Sequence, residues 1–379
     1  MNISLALSSF LDFSRWVAAF VVVISHLRNL LFADYEIIEN KNIAIRAFYF
    51  LTGFGHQAVI IFFVLSGFLI AGSIFSHLKA NKFSLLRYFI DRFSRIYIVF
   101  PLSLITGLIF DLLGCSYFNG SGLYTNQINL ATVGFNISER LGIDVFLSNL
   151  VMLQTITSPS LGSNGPLWSL ANEWWYYFYF PLIILTFNYK SIYKKVLCLI
   201  GVAALSVMMY NSNIHGNMLI FFSVWMTGAA VWLFKTRKTL NFYAAITLMI
   251  LYLIFLRIQA INFFTPFQQD FILGILFSVT IKSINESHKL FINMQTINKE
   301  IASFSFSLYL THLPLSIFAI AVLSNFEIIN LQMQPELSTF LTLFLLLTVT
   351  YSFAFFFALI TEKNTLMIKK FIHKFIVKS

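Results

Sequence analysis

The chain of 379 residues is apolar and basic: 58% of its residues are hydrophobic, 11% are charged, and the formal net charge is +10. Soluble domains carry about 25% charged residues, and soluble chains of this length divide into domains joined by polar linkers, which this sequence lacks. We therefore predict one all-α integral-membrane domain over residues 1–379. The basic residues lie between apolar runs, which argues against a nucleic-acid partner.

Ten apolar runs of roughly membrane-spanning length follow one another along the chain. A hydrocarbon core requires about 20 apolar residues for each helix. The sequence therefore predicts a polytopic helix bundle of about ten transmembrane helices. The runs are 11–31, 58–75, 96–113, 167–187, 196–209, 218–234, 242–256, 267–281, 304–323 and 339–360.

The loops between these runs alternate in charge. With ten spans, the positive-inside rule places the basic loops and both termini in the cytoplasm. On the opposite side, the longest loop covers residues 114–166 and is rich in Asn, Ser, Gly and Thr, which is typical of a functional loop. Its apolar segment 145–153 is too short to span. The basic clusters are 79–95, 190–195, 235–238, 282–299 and 363–378.

The first run carries Asp12, Arg15 and His26. Arg15 and His26 are eleven residues apart, so they share one face of a helix at a separation of about 16 Å along its axis. A histidine is suited to general-base catalysis near neutral pH, and Arg15 would lie near the cytoplasmic end. The alternative is a packing histidine and an arginine that reaches the headgroups.

The next two candidate elements lie in the second run and at the cytoplasmic boundary that follows it. Ser66 and Gly67 allow two helices to approach closely and supply a hydroxyl, so helix packing is an open alternative to a binding role. Arg92 and Arg95 are three residues apart on one helical face. Two guanidinium groups are suited to clamping phosphates, and the alternative is simple positive-inside anchoring.

Trp168, Ser169 and Glu173 open the fourth run. The aromatic residues alone fit a membrane-interface belt, but a belt does not explain Glu173, about one turn inside the run. A carboxylate beside aromatic rings is similar to a sugar-binding surface.

The ninth run places Tyr309 and His312 three residues apart, before a helix-kinking Pro314. One alternative is that His312 satisfies the carbonyls that the proline frees. Cys115, just after the third run, and Cys198, in the fifth run, have no metal-type spacing, so we predict neither a disulfide framework nor a metal site.

Taken together, these segments resemble the membrane-bound acyltransferase-3 family, which acylates bacterial surface polysaccharides, lipopolysaccharide O-antigens and related glycans. The chain departs from the family pattern at Asp12-Phe-Ser-Arg15-Trp16, which usually reads Asp-Gly-Leu-Arg-Ala, and at Glu362, where an expected Glu-x-Pro lacks its proline. The resemblance rests on five segments in the family's order: Asp12-x-x-Arg15-(ten residues)-His26, Phe62-Phe-x-Leu-Ser-Gly-Phe68, Arg92-x-x-Arg95, Trp168-Ser-Leu-x-x-Glu173 and Ser305-x-Ser-Leu-Tyr-Leu-x-His-x-Pro314.

This resemblance implies an acyl-coenzyme A-dependent O-acyltransferase of the bacterial inner membrane, surrounded by lipid and without a tightly bound cofactor. Acyl-CoA, with acetyl as the expected group, would bind from the cytoplasm, and Arg15 is grouped with the catalytic residues near that end of the helix. His26 would act as general base, either for direct attack by a sugar hydroxyl or in a covalent relay. A cell-envelope glycan would be the acceptor, and no esterase-like domain is expected after the tenth run. The implied donor-binding residues are Arg92, Arg95, Ser66 and Gly67, and the acceptor-binding residues are Trp168, Ser169, Glu173, Tyr309 and His312.

Two other classes of function remain open. Arg, His and Glu inside a membrane also suit a proton-coupled transporter or flippase for glycan or lipid-linked sugar. The sequence shows no repeat symmetry and no matched pair of Gly/Pro-broken helices that would support transport. A scaffold subunit of an envelope-assembly complex predicts that His26→Ala has no effect.

Overall fold

The computed structural model describes residues 3–128, 130, 132–212, 217–234, 240–258, 263–285 and 288–376, with side chains up to residue 370. Of the described residues, 76% are helical. Throughout the described residues the regular elements are helices, with only isolated β-bridges and no strand. The all-α prediction is confirmed.

Sixteen α-helices occur in the described chain, and short 3-10 turns lie between some of them. Their bounds are α1 Leu5–Leu31, α2 Ile43–Leu51, α3 Gly55–Lys79, α4 Leu85–Tyr97, α5 Phe100–Tyr117, α6 Ile143–Leu150, α7 Leu167–Asn188, α8 Ile192–Tyr210, α9 Met218–Leu233, α10 Phe242–Ile258, α11 Pro266–Ser283, α12 Lys289–Asn293, α13 Gln295–Ala302, α14 Ser305–Asn325, α15 Leu337–Ile360 and α16 Thr365–Ile376.

The chain is a multi-pass membrane protein. Within the described residues, six helical segments are long and apolar enough to cross a bilayer, and α9 and α10 are shorter apolar helices. The ten predicted runs coincide with α1, α3, α5, α7–α11, α14 and α15, although a count of ten crossings and the side of each terminus stay predictions. The six segments are Leu5–Leu31, Ile43–Lys79, Leu85–Tyr117, Ile192–Tyr210, Ser305–Asn325 and Leu337–Lys370.

Two sequence predictions concern the loops. The apolar segment 145–153 overlaps α6, which has 8 residues and is too short to cross a membrane. The predicted basic cluster at 235–238 and the terminal Lys378 lie outside the described residues.

The described residues form two compact units, and the first comprises 1–18, 57–89 and 169–302. The prediction of a single domain is left untested by this division. Within this unit α9 packs against α8 and α11, and α10 packs against α11. α3 and α9 approach backbone to backbone: a Cβ atom on Gly67 would lie 2.0 Å from the carbonyl oxygen of Trp225, and one on Gly228 would lie 2.0 Å from that of Val64. Small residues permit such contacts between membrane helices.

The second unit comprises residues 19–56, 90–168 and 303–379. Its central element is α14, which packs against α5 and α15. Glu362 lies just beyond α15, and one of its carboxylate oxygens accepts hydrogen bonds from the backbone N–H and the hydroxyl of Ser307, both at 2.9 Å. A carboxylate at the first turn of a helix satisfies backbone donors and complements the helix dipole. Glu362 therefore anchors the end of α15 to α14 without the family's proline.

The loop before α7 is held by buried polar side chains of the second unit. Asp111 on α5 accepts a hydrogen bond from the backbone N–H of Ser163 at 2.8 Å, and Asn149 on α6 accepts one from that of Leu161 at 2.9 Å. Gln154 donates to the carbonyl oxygen of Leu167 at 3.1 Å. These bonds give the polar loop a defined path into α7.

Candidate active site

The helix α1 carries Asp12, Arg15 and His26 on one continuous element. Arg15 forms an ion pair with Asp12 at 3.2 Å, and the two side chains are 25% and 21% exposed. In the next position, the indole N–H of Trp16 donates to Asn298 at 3.0 Å. The turn that holds Arg15 is therefore fixed by an ion pair and a hydrogen bond, and Arg15 is a positioned, partly exposed cation.

His26 and His312 form a pair in the second unit. His26 Nδ1 lies 2.9 Å from His312 Nε2, and the two ring planes differ by 3°. The ring centroids are 5.1 Å apart, so the imidazoles meet edge to edge through a hydrogen bond. His312 is 1% exposed and His26 is half-buried. The structure thus brings together two residues that the sequence assigned to different roles.

The position of His312 follows from the local structure of α14. Pro314 has no N–H to donate to the carbonyl oxygen of Leu310, four residues earlier. Asn164 donates to that oxygen at 2.8 Å, so Asn164 replaces the missing helical bond. The alternative that His312 satisfies this carbonyl is therefore not supported: its Nδ1 lies 2.8 Å from the carbonyl oxygen of Tyr309 instead.

Tyr309 lies one turn before His312 on α14. Its hydroxyl donates to the carbonyl oxygen of Pro166 at 3.0 Å, and its side chain is 8% exposed. This bond joins the beginning of α7 to the helix of His312. A role for Tyr309 in acceptor binding stays a prediction.

A second polar group lies in the first unit and is called the Glu173 cluster: Ser66, Glu173, Tyr177 and Trp225. Ser66 donates to Glu173 Oε1 at 2.7 Å, and the hydroxyl of Tyr177 donates to the same oxygen. The indole N–H of Trp225 donates to the Ser66 hydroxyl at 3.1 Å. The predicted donor-binding Ser66 and the predicted acceptor-binding Glu173 are therefore partners in one network. Glu173 is half-buried, and an ionised carboxylate only accepts hydrogen bonds.

The remaining predicted residues lie at three places. On α4, Arg95 is exposed and Arg92 is half-buried, and Asp91 beside them pairs with Lys369 at 2.8 Å. At the beginning of α7, Trp168 is half-buried and Ser169 is buried. The close approach of α3 to α9 accounts for Gly67 by helix packing, and its donor-binding role stays a prediction.

Asn164 and Asp111 were not predicted from the sequence. Asp111 lies in the run 96–113 and is 1% exposed, so the expense of a carboxylate inside a membrane could have identified it. The loop residue Tyr124 is close enough to Asp111 to feel its charge. Burial raises the pKa of the Tyr124 hydroxyl, and the negative charge of Asp111 raises it as well. No sequence signal identified Asn164, because its partner carbonyl belongs to a residue 146 positions away.

Apolar helices of membrane-spanning length, a pair of imidazoles and a network of polar side chains together define a multi-pass membrane protein with polar groups inside its helices. The profile of the acyltransferase-3 family, described as an acyltransferase domain, matches residues 8–359. The chain belongs to this family. No solved structure matches it.

Two relatives match parts of the chain. An uncharacterized protein of Haemophilus influenzae is 32% identical over 161 residues, which cover 41% of this chain and 60% of that protein. Acyltransferase MdmB of Streptomyces mycarofaciens is 29% identical over 194 residues, which cover 50% of this chain and 42% of that protein. The chain thus spans less than two thirds of either relative.

Proposed function

We propose that the protein transfers an acyl group, with acetyl as the expected group, from cytoplasmic acyl-CoA across the membrane to a hydroxyl of a cell-envelope glycan such as O-antigen or exopolysaccharide. Family membership supports acyl transfer. The observation that carries the proposal is the contact of His26 with His312 at 2.9 Å within apolar helices. We place the protein in the bacterial inner membrane, where acyl-CoA reaches it from the cytoplasm.

In this mechanism His26 takes the proton of the acceptor hydroxyl as general base. The hydroxyl oxygen attacks the thioester carbonyl carbon and forms the ester bond, and the carbon–sulfur bond breaks. The proton on His26 then passes to the leaving thiolate and gives free coenzyme A. The acceptor gains the acyl group and loses a proton, and coenzyme A loses the acyl group and gains that proton. No further reactant is required.

The positively charged residues are assigned to the donor. Arg92 and Arg95 on α4 would bind the phosphates of coenzyme A, because guanidinium groups make paired hydrogen bonds to phosphate. Arg15 would add a third positive charge, shared with Asp12. Ser66 and Gly67 would also bind the donor. The close packing of α3 against α9 at Gly67 holds this part of α3 in place.

The acceptor is assigned to the aromatic and acidic residues of α7 and to Tyr309. Trp168 offers a ring for the face of a sugar, and Ser169 and Glu173 offer hydrogen-bonding groups. Glu173 supports this assignment because Ser66 and Tyr177 both bond to Oε1, and a carboxylate has a second oxygen that can accept from a sugar hydroxyl.

The experiment is mass spectrometry of the surface polysaccharide from cells that contain wild-type protein, His26→Ala, His77→Ala or no protein. His77 is the matched control because it is an exposed histidine at the end of α3. We expect an acetyl-sized mass on the glycan with wild type and His77→Ala, and its loss in the other two strains at equal membrane levels.

Two results would contradict the proposal. Unchanged acylation in the strain without the protein would favour transport of a glycan or lipid-linked sugar over acyl transfer. Full acylation with His26→Ala would exclude His26 as the base.

A further inference from the structure

We propose that His312 is a positioning residue that fixes which nitrogen of His26 carries the proton. A chain of hydrogen bonds runs from the backbone carbonyl of Tyr309 through His312 to His26, and it leaves Nε2 of His26 as the nitrogen that accepts the substrate proton. This inference rests on the proposed role of His26 as general base.

The contacts of His312 show which of its two ring nitrogens carries the hydrogen. Its Nδ1 lies 2.8 Å from the carbonyl oxygen of Tyr309 and 3.2 Å from that of Leu308. Carbonyl oxygens only accept hydrogen bonds, so Nδ1 carries a hydrogen and donates it. A neutral imidazole has one N–H, and Nε2 of His312 is therefore the acceptor nitrogen.

The position of the His26 proton follows from that of the His312 proton. Its Nδ1 is the ring nitrogen that meets His312 Nε2, at 2.9 Å. Since His312 Nε2 accepts, His26 Nδ1 is the donor, and the lone pair of the neutral His26 ring is on Nε2. Neutral rings are the consistent state here, because the two rings bond to each other and to backbone carbonyls, and burying an imidazolium is expensive.

Hydrogen bonds and packing hold the His312 ring in place. His312 is 1% exposed and lies on α14 between Tyr309, which is bonded to Pro166, and Pro314. Asn164 satisfies the carbonyl that Pro314 frees, so the kinked segment keeps a defined backbone. A ring fixed in this way holds the coplanar ring of His26 by a directional bond. When His26 gains a proton at Nε2, its Nδ1–H remains bonded to His312.

This geometry changes the predicted role of His312 in acceptor binding. One ring nitrogen bonds to the backbone and the other bonds to His26. Both polar atoms of the side chain are thus engaged within the protein. His312 acts on the reaction through His26 rather than through the sugar.

The test compares His312→Gln, His312→Asn and His312→Leu in the full-length protein. A Gln side chain places an amide oxygen near the position of Nε2 and can accept from His26, whereas an Asn side chain reaches only the position of Nδ1. Transfer is measured in membrane vesicles with radiolabelled acetyl-CoA and unacylated polysaccharide purified from cells that lack the protein. The readouts are kcat and the KM of each substrate.

We expect His312→Asn and His312→Leu to lower kcat by about 10²-fold, with both KM values unchanged, and His312→Gln to recover at least about 10-fold over His312→Leu. A raised KM for the polysaccharide with normal kcat would overturn the inference in favour of acceptor binding. Equal losses in all three variants at wild-type membrane levels would overturn it as well.

A second measurement needs no variant at His312. The ring ¹⁵N resonances of His26 in the wild-type protein, assigned by comparison with His26→Ala, report which nitrogen is protonated. We expect a protonated Nδ1 and an unprotonated Nε2, and the reverse assignment would contradict the inference. Failure of the proposed function is distinguishable, because then either the wild-type protein transfers no acetyl group or His26→Ala retains full transfer activity.

Discussion

Helices α14 and α8 have the same mean hydropathy over their most apolar windows, yet 67% of that window is buried in α14 and 11% in α8. The two helices have 21 and 19 residues. Mean hydropathy therefore indicates that a helix can cross a membrane but not whether it faces protein or lipid. Leu313 of α14 is 1% exposed, whereas Leu199 of α8 is 53% exposed.

The difference lies in the partners of the polar side chains. On α14, Ser307 bonds to Glu362 and His312 bonds to His26, so polar groups join α14 to other elements. On α8, Ser206 donates to the carbonyl of Val202 in its own helix and contacts Tyr179. Polar groups within the bilayer need hydrogen-bond partners in the protein. Ser307 and His312 of α14 find theirs on other elements, which draws α14 into the protein interior.

The largest expected effect separates the two helices directly. We expect Leu313→Ala to lower the free energy of unfolding by about 2–5 kcal/mol, because it leaves a cavity. The matched Leu199→Ala should change it by less than about 0.5 kcal/mol, because lipid fills the space. Reversible unfolding in mixed micelles measures both, and equal losses would remove the distinction between the helices.

The next effect concerns Asn164. Asn164→Ala leaves the carbonyl of Leu310 without a partner, and we expect a loss of about 1–3 kcal/mol. Pro314→Ala restores an N–H to that carbonyl, so Asn164→Ala should cost much less in that background. Additive losses in this double-mutant cycle would contradict the replacement of the helical bond by Asn164.

A smaller effect is expected at the beginning of α14. Glu362→Ala removes the acceptor for Ser307, and we expect a loss of about 1 kcal/mol, as for a helix cap. Glu362→Gln keeps an oxygen acceptor and should retain part of that energy. Thermal unfolding of the two variants in detergent checks the order, and an equally large loss for Gln would point to the charge alone.

The smallest effect compares two glycines. A Cβ on Gly201 of α8 would lie 3.1 Å from the mobile Cδ1 of Leu182, and one on Gly107 would lie 3.3 Å from the rigid ring of Pro314. We expect Gly201→Ala to raise stability by about 0.5–1 kcal/mol and Gly107→Ala to give no gain. Melting temperatures of both variants test this, and a gain only at Gly107 would reverse the comparison.

The sequence predicted the helical membrane fold well, because ten separate apolar runs each coincide with a helix. It did not predict α14 as a buried helix, because hydropathy does not report neighbours. For the candidate site, spacing within α1 singled out Arg15 and His26, and their catalytic roles stay predictions. The pairing of His26 with His312 spans 286 residues, and no local pattern encodes such a contact. Asn164 was missed for the same reason.

The most direct test of the account is transfer of radiolabelled acetyl from acetyl-CoA to unacylated polysaccharide by the purified full-length protein in liposomes, with wild type, His26→Ala and the control His77→Ala. We predict that His26→Ala lowers the rate by about 10²- to 10⁴-fold and that His77→Ala matches wild type. A rate for His26→Ala equal to that of wild type would contradict the central claim that His26 is the base in acyl transfer.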